Sequence, residues 1–97
     1  MKRIILLTLL CTTTILMAQR INHIQEAIAD YDYETALILI AKEKTTIPLL
    51  LQKGKAQRGL GMNTEALSTY QEIIANDTAN TRAYIEAAEC CRSLAKY

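Results

Sequence analysis

Residues 50–70 read Leu50-Leu51-Gln52-Lys53-Gly54-Lys55-Ala56-Gln57-Arg58-Gly59-Leu60-Gly61-Met62-Asn63-Thr64-Glu65-Ala66-Leu67-Ser68-Thr69-Tyr70, and this stretch decides the fold. On either side of Gly61, apolar and small residues recur at three- and four-residue steps, the spacing of one face of a helix. Gly61 interrupts the pattern where a helix needs a residue that tolerates the left-handed conformation. The stretch therefore predicts a helix from about Ile47 to Leu60, a tight turn, and a helix from Thr64 to about Ala75 capped by Asn63. Gly54 and Ala66 lack bulk, so two antiparallel helices can approach closely there. Tyr70 is expected to fill the space beside them.

The same alternation of helix and turn continues in both directions. Downstream, Asn76 to Asn80 is a polar turn, and a fifth helix begins near Thr81 with Tyr84, Ala87, Ala88, Cys91 and Leu94 as its expected apolar side. Upstream, Thr45 and Thr46 break a helix, because β-branched hydroxyl residues compete for their own backbone. Thr46 can then cap the third helix, with Pro48 in the first turn, where a missing amide hydrogen costs nothing. The second helix carries Tyr33, Ala36, Leu37 and Ile40 inward and is expected to reach Glu43. Asp32 is its N-cap, and Glu34 favours the positive end of its dipole. The first helix places Ile21, Ile24, Ala27 and Ile28 on one face. No stretch alternates apolar and polar residues as a strand would, so the expected fold class is all-α.

A repeat underlies these five helices. Tyr84 follows Leu50 by the same interval at which Ala88 follows Gly54. Tyr33-Glu34-Thr35-Ala36-Leu37 can be laid over Asn63-Thr64-Glu65-Ala66-Leu67. With its small residue at Gly54, turn glycine at Gly61, and Ala66 and Tyr70 on the second helix, the middle unit resembles the tetratricopeptide repeat. That family is built on a helix-turn-helix unit of about 34 residues, and the interval from Leu50 to Tyr84 matches it. The resemblance implies antiparallel helical hairpins stacked as a short right-handed solenoid of about two and a half repeats. The first unit departs from the pattern. Ala36 and Ala66 stand four positions closer than the repeat interval, Ile24 stands where the small residue should be, and Tyr31 replaces the turn glycine.

Ahead of the repeats, Lys2 and Arg3 precede an apolar run from Ile4 to Met17, broken only by threonines, and Ala18 is followed by Gln19 and Arg20. A cationic start, a short apolar stretch and a small residue before a polar flank make a secretory signal peptide. The run falls short of the roughly 20 residues needed to span a bilayer. The expected division is a signal peptide at 1–18 and a helical repeat domain at 19–97, placing the product in the periplasm or cell envelope. Lipoprotein processing at Cys11 is disfavoured, because Leu10 is larger than the residue such a signal wants and Ile15-Leu16-Met17 would be stranded in the product.

The composition excludes several function classes. Of 11 basic residues, two lie in the expected signal, leaving nine against ten acidic ones. That balance gives no basic footprint for nucleic acid. His23 has no second histidine at ligand spacing. Cys90 and Cys91 are adjacent, which strains a bridge between them, and they read as small hydrophobes, with Cys91 in the core. Asp30, Asp32 and Glu34 cluster without calcium-loop spacing, and capping accounts for them. Asp77-Thr78-Ala79 fits a short motif for O-glycosylation at Thr78, although an ordinary turn has the same composition. With no nucleophile–base set, metal cluster or phosphate loop, no enzyme, metal or cofactor is expected. The expected role is to bind a protein or peptide. The resemblance assigns Leu51, Lys55 and Arg58, joined by Ile85, Glu89 and Arg92, to a groove suited to an extended segment bearing a carboxylate. The fifth helix, lacking a following partner, leaves as alternatives a structural solenoid that self-associates through residues 81–97, or the N-terminal section of a larger envelope protein.

Overall fold

In the computed structural model the backbone is described from Lys2 to Lys96, and side chains from Ile15 onward except Met17 and Tyr97. The expectations that rest on Lys2, Arg3 and Cys11 concern side chains outside that range. Five helices and no strand occur among the described residues: α1 (Lys2–Ala29), α2 (Tyr33–Ala41), α3 (Ile47–Gly59), α4 (Asn63–Asn76) and α5 (Thr81–Ala95). Each packs chiefly on its neighbour in the chain. Among the described residues no helix is long and apolar enough to cross a membrane.

Side chains cap three of the helix starts, those of Asp32 and Thr46 as expected. Asp32 accepts from the Thr35 amide at 3.4 Å, Thr46 from the Leu49 amide at 3.4 Å, and Asn80 from the Ala83 amide at 3.1 Å. The fourth helix is the exception. Asn63 is its first helical residue, and Met62 holds the capping position without a side-chain hydrogen bond. The amide of Met62 is drawn back onto the carbonyl of Gln57 at 2.8 Å, which closes the preceding helix and begins the next one residue early. The second helix stops at Ala41 rather than Glu43, because the Lys42 and Glu43 amides turn back to Leu39 and Ile40. The first helix does not begin at Ile21 but runs through it.

Two of the turns share one geometry. At the first, the Tyr31 amide donates to Ile28 and the Asp32 amide to Ala27; at the second, the Gly61 amide donates to Arg58 and the Met62 amide to Gln57. Both are the paired closure in which a left-handed residue ends a helix. Gly61 has φ +77° and Tyr31 has φ +60°. The first turn thus keeps the backbone of the second with a bulky residue where glycine fits at no steric cost.

Two core clusters follow from these pairings. Ile24, Ala27, Ile28, Ala36, Ile40 and Ala56 form one, which joins the α1–α2 hairpin to α3. Leu50, Ala66, Tyr70, Ile73, Ala83 and Cys90 form the other, which joins α3–α4 to α5. Ile21, expected on the same face as Ile24, is 42% exposed and lines a recess beside the start of α3. Four alanines, Ala36, Ala56, Ala66 and Ala83, are wholly buried, so the helices meet through their smallest side chains. The repeat persists in the burial pattern. Leu49 and Ala56 face back toward α2, and their counterparts one repeat later, Ala83 and Cys90, face back toward α4. On α5 this turns the expected inward face outward. Tyr84, Ala88 and Cys91 are exposed, Ala83 and Cys90 take the core, and Ala87 alone of the expected face stays packed against it, with Leu94 half-buried.

Two glycines lie directly beneath aromatic rings. A Cβ added at Gly54 would lie 2.5 Å from Tyr70 Cζ and 2.7 Å from Cε1. Tyr70 is itself almost wholly buried, so its ring has nowhere to move. Gly59 bears a second such contact, beneath the ring of Tyr33, but that ring is only half-buried and can swing aside. Gly54→Leu is therefore expected to destabilise the fold by roughly 1–3 kcal/mol or more through overpacking, and Gly59→Leu by less. Thermal melts of the two variants check the ranking.

Candidate functional site

Two surface recesses, of about 250 and 330 Å³, lie along α2, and three more border α3 on the side of α1 and α5. Of those three, one, of about 320 Å³, lies between α1 and the start of α3 and is lined by Ile21, Ile24, Pro48 and Leu49 among others. A second, of about 380 Å³, is bounded by Gln25, Ile28 and Ala29 of α1, Tyr31 of the first turn, Tyr33 of α2, and Gln52 and Lys55 of α3. A third, of about 170 Å³, is lined by Pro48, Leu51, Gln52 and Lys55 of α3 with Arg82 of α5. Gln52 borders all three, so they form one surface crossing α3.

The α3 residues of that surface are spaced at three and four positions from Pro48 to Lys55, which puts them on one helical stripe. Leu51 and Lys55 are thus brought together as expected, with Pro48 and Gln52 beside them and Arg82 opposite. Arg82 follows Pro48 by the same interval that separates Tyr84 from Leu50, and that repetition was the signal by which the sequence could have yielded it. The other expected residues lie elsewhere. Arg58 has turned away and forms an ion pair with Glu86 of α5. Ile85 is exposed on α5, and Glu89 and Arg92 pair with each other along that helix at 3.2 Å. None of these four lines the third recess. The expected stripe holds on α3 as far as Lys55 and fails at Arg58, which pairs with a carboxylate that spacing alone does not disclose.

Behind this surface lies a polar seam. The Thr69 hydroxyl meets the Gln57 side-chain oxygen at 2.6 Å and the Glu65 carbonyl at 3.1 Å, so two buried polar residues satisfy each other between α3 and α4. Among the described residues no buried side-chain polar atom lacks a partner. Burial pushes the Tyr70 phenol from its ordinary 10.0 up to about 12, with Glu86 adding to the rise and Arg58 opposing it. Burial likewise pushes the Cys90 thiol up, against the pull of Arg58. A thiol so placed resists forming the thiolate on which reactivity depends.

Other candidate residues fall as follows. His23 is exposed, 3.9 Å from Glu26 on its own helix. Cys91 is exposed and free, and Cys90 is the buried one, the reverse of the expectation. Thr78 is exposed in the turn between α4 and α5. No group of three or more potential metal ligands is drawn together among the described residues. No family model, curated protein or solved structure matches the chain.

The Tyr70 proton has a consequence for stability. Between about pH 10 and pH 12 the unfolded chain gives up a phenolic proton that the folded chain retains. The unfolded state then binds fewer protons, so this contribution is fully present below pH 10 and is lost as pH rises toward 12. Chemical denaturation across that range is expected to show a falling stability whose slope is shallower in Tyr70→Phe.

Proposed function

We propose that this chain is an exported tetratricopeptide-like module that holds an extended segment of another protein across its odd-numbered helices, and that it acts as a scaffold rather than an enzyme. The observation that carries the reading is the surface shared by α1, α3 and α5. Its α3 stripe sets apolar Pro48 and Leu51 beside Lys55, and Arg82 faces them. A repeat array uses such a face, built from one helix of each hairpin, to grip a strand-like or irregular peptide. The apolar strip accepts a hydrophobic side chain, and the two cations suit a carboxylate next to it.

Tyr31 supports the same reading. It is 79% exposed, its ring meets that of Tyr33 edge-on at 6.2 Å, and it borders the recess that contains Lys55. Its left-handed backbone is a strained conformation for a bulky residue, of the kind that gathers at binding sites. Tyr31→Gly is expected to stabilise the fold by roughly 1 kcal/mol through relief of that strain. The same substitution is expected to weaken partner binding, as are Lys55→Glu and Arg82→Glu, which should leave the melting temperature nearly unchanged. Partners captured by the full chain from an envelope extract, then titrated against the three variants, test this. Equal binding by all of them would overturn the groove.

Export rests on the pattern of residues 1–18. Expression of the complete gene in a Gram-negative host is expected to yield a product beginning at Gln19 outside the cytosol. Intact-mass measurement checks it, and a product retaining residues 1–18 or starting at a lipidated Cys11 would overturn it.

A further inference from the structure

The outward face of α5 is ordered in a way the groove does not use. Thr81, Tyr84, Ala88, Cys91 and Ala95 are all exposed, and they follow one another at intervals of three, four, three and four. That is the seam spacing of two helices packed side by side. The corresponding face of α3, one repeat earlier, consists of Leu50, Gly54 and Gln57, and all three are buried against α4. On α5 the same face is exposed among the described residues. Ile85, 56% exposed, and Tyr84, 48% exposed, flank its first half.

We infer that this face is covered by the α5 of a second copy of the chain, packed antiparallel about a two-fold axis at Ala88. The seam is bulky at one end, with Tyr84 and Ile85, and small at the other, with Cys91 and Ala95. An antiparallel pair lays each bulky half over the small half of its mate, as Tyr70 already lies over Gly54 within the chain. A parallel pair would set Tyr84 against Tyr84 and leave a gap at Ala95. The charges agree with the antiparallel choice. With the axis at Ala88, Arg92 falls opposite Tyr84 of the second copy, where a guanidinium stacks on a phenol ring, and neither Arg82 nor Lys96 meets its own counterpart. The contact is isologous and closes on itself, so it ends at a dimer. One 15-residue helix buries less than the roughly 1,200 Å² at the lower limit of stable interfaces, so the dimer is weak. Half-association is expected on the order of tens of micromolar. The inference does not rest on the groove reading, because α5 presents Arg82 and this seam on different sides.

Cross-linking tests the geometry. Small residues at the seam allow the axes to approach to about 8 Å, which brings the two residue-88 Cα atoms within disulfide reach of roughly 4–7 Å. The two Cys91 Cα atoms, three residues to either side of the axis, are about 9 Å apart along it and out of reach. In the full chain, expressed with its N-terminal segment so that any processing is retained, Ala88→Cys combined with Cys91→Ser is expected to form a covalent dimer under copper–phenanthroline. Each bond gives two electrons and two protons to the oxidant. The unsubstituted chain, with Cys91 in place, is expected to stay uncrosslinked. Sedimentation equilibrium of the unsubstituted chain should give a monomer–dimer curve. Ala88→Arg, which sets two like charges on the axis, should weaken it roughly a hundredfold while preserving the helical melt. A monomer at every concentration, or a cross-link through Cys91 in preference to position 88, would overturn the inference.

Discussion

The rest of this small fold depends on the seating of the Tyr70 ring against the bare backbone of Gly54. A helix pair in which a full aromatic ring occupies the crossing needs one partner with no side chain, and residue 54 supplies it. That contact fixes the rotation of α3 about its axis. With Gly54 under the ring, Gln57 reaches Thr69, Leu50 enters the second core cluster, and Ala56 is turned back to the first. The stripe from Pro48 to Lys55 is then the part of α3 left facing the recesses. The groove residues and the core residues are thus two consequences of one rotation.

A second constraint is the closure of the turns. Tyr31 and Gly61 occupy the same left-handed backbone and the same pair of hydrogen bonds, although one is bulky and the other bare. The turn geometry belongs to the repeat rather than to the residue. The shortfall of the first unit is absorbed elsewhere, in a second helix of only nine residues and the extended link to Thr46. A unit can lose a helical turn there without disturbing its neighbours, because the link carries no core residue.

Much of the architecture was legible in the sequence, since helix faces, caps and the turn glycine are local signals. Asp32, Thr46 and Gly61 each act through a neighbour within a few positions, and the readings made from them hold. The failures share a different origin. The rotation of α5, which buries Cys90 and exposes Cys91, depends on how many helices flank it, and a repeat interval alone is silent on that. The groove was half legible for a related reason. Leu51 and Lys55 follow from helix spacing, but the withdrawal of Arg58 depends on Glu86, a residue 28 positions away. Asn63 was displaced as a cap by the closure of the preceding helix, which takes the Met62 amide first.

The ion pair of Arg58 with Glu86 joins α3 to α5, helices that are not neighbours in the chain. In a simple stack of hairpins each unit touches only the next, and a terminal helix can melt by itself while the remainder stands. Here α5 is tied to α3 as well as to α4, because Arg58 and Glu86 pair with no more than about a third of either side chain exposed. The last helix and the third are therefore bound to a common fate. The C-terminal half of the chain should behave as a single cooperative unit, whose end does not fray independently of its middle.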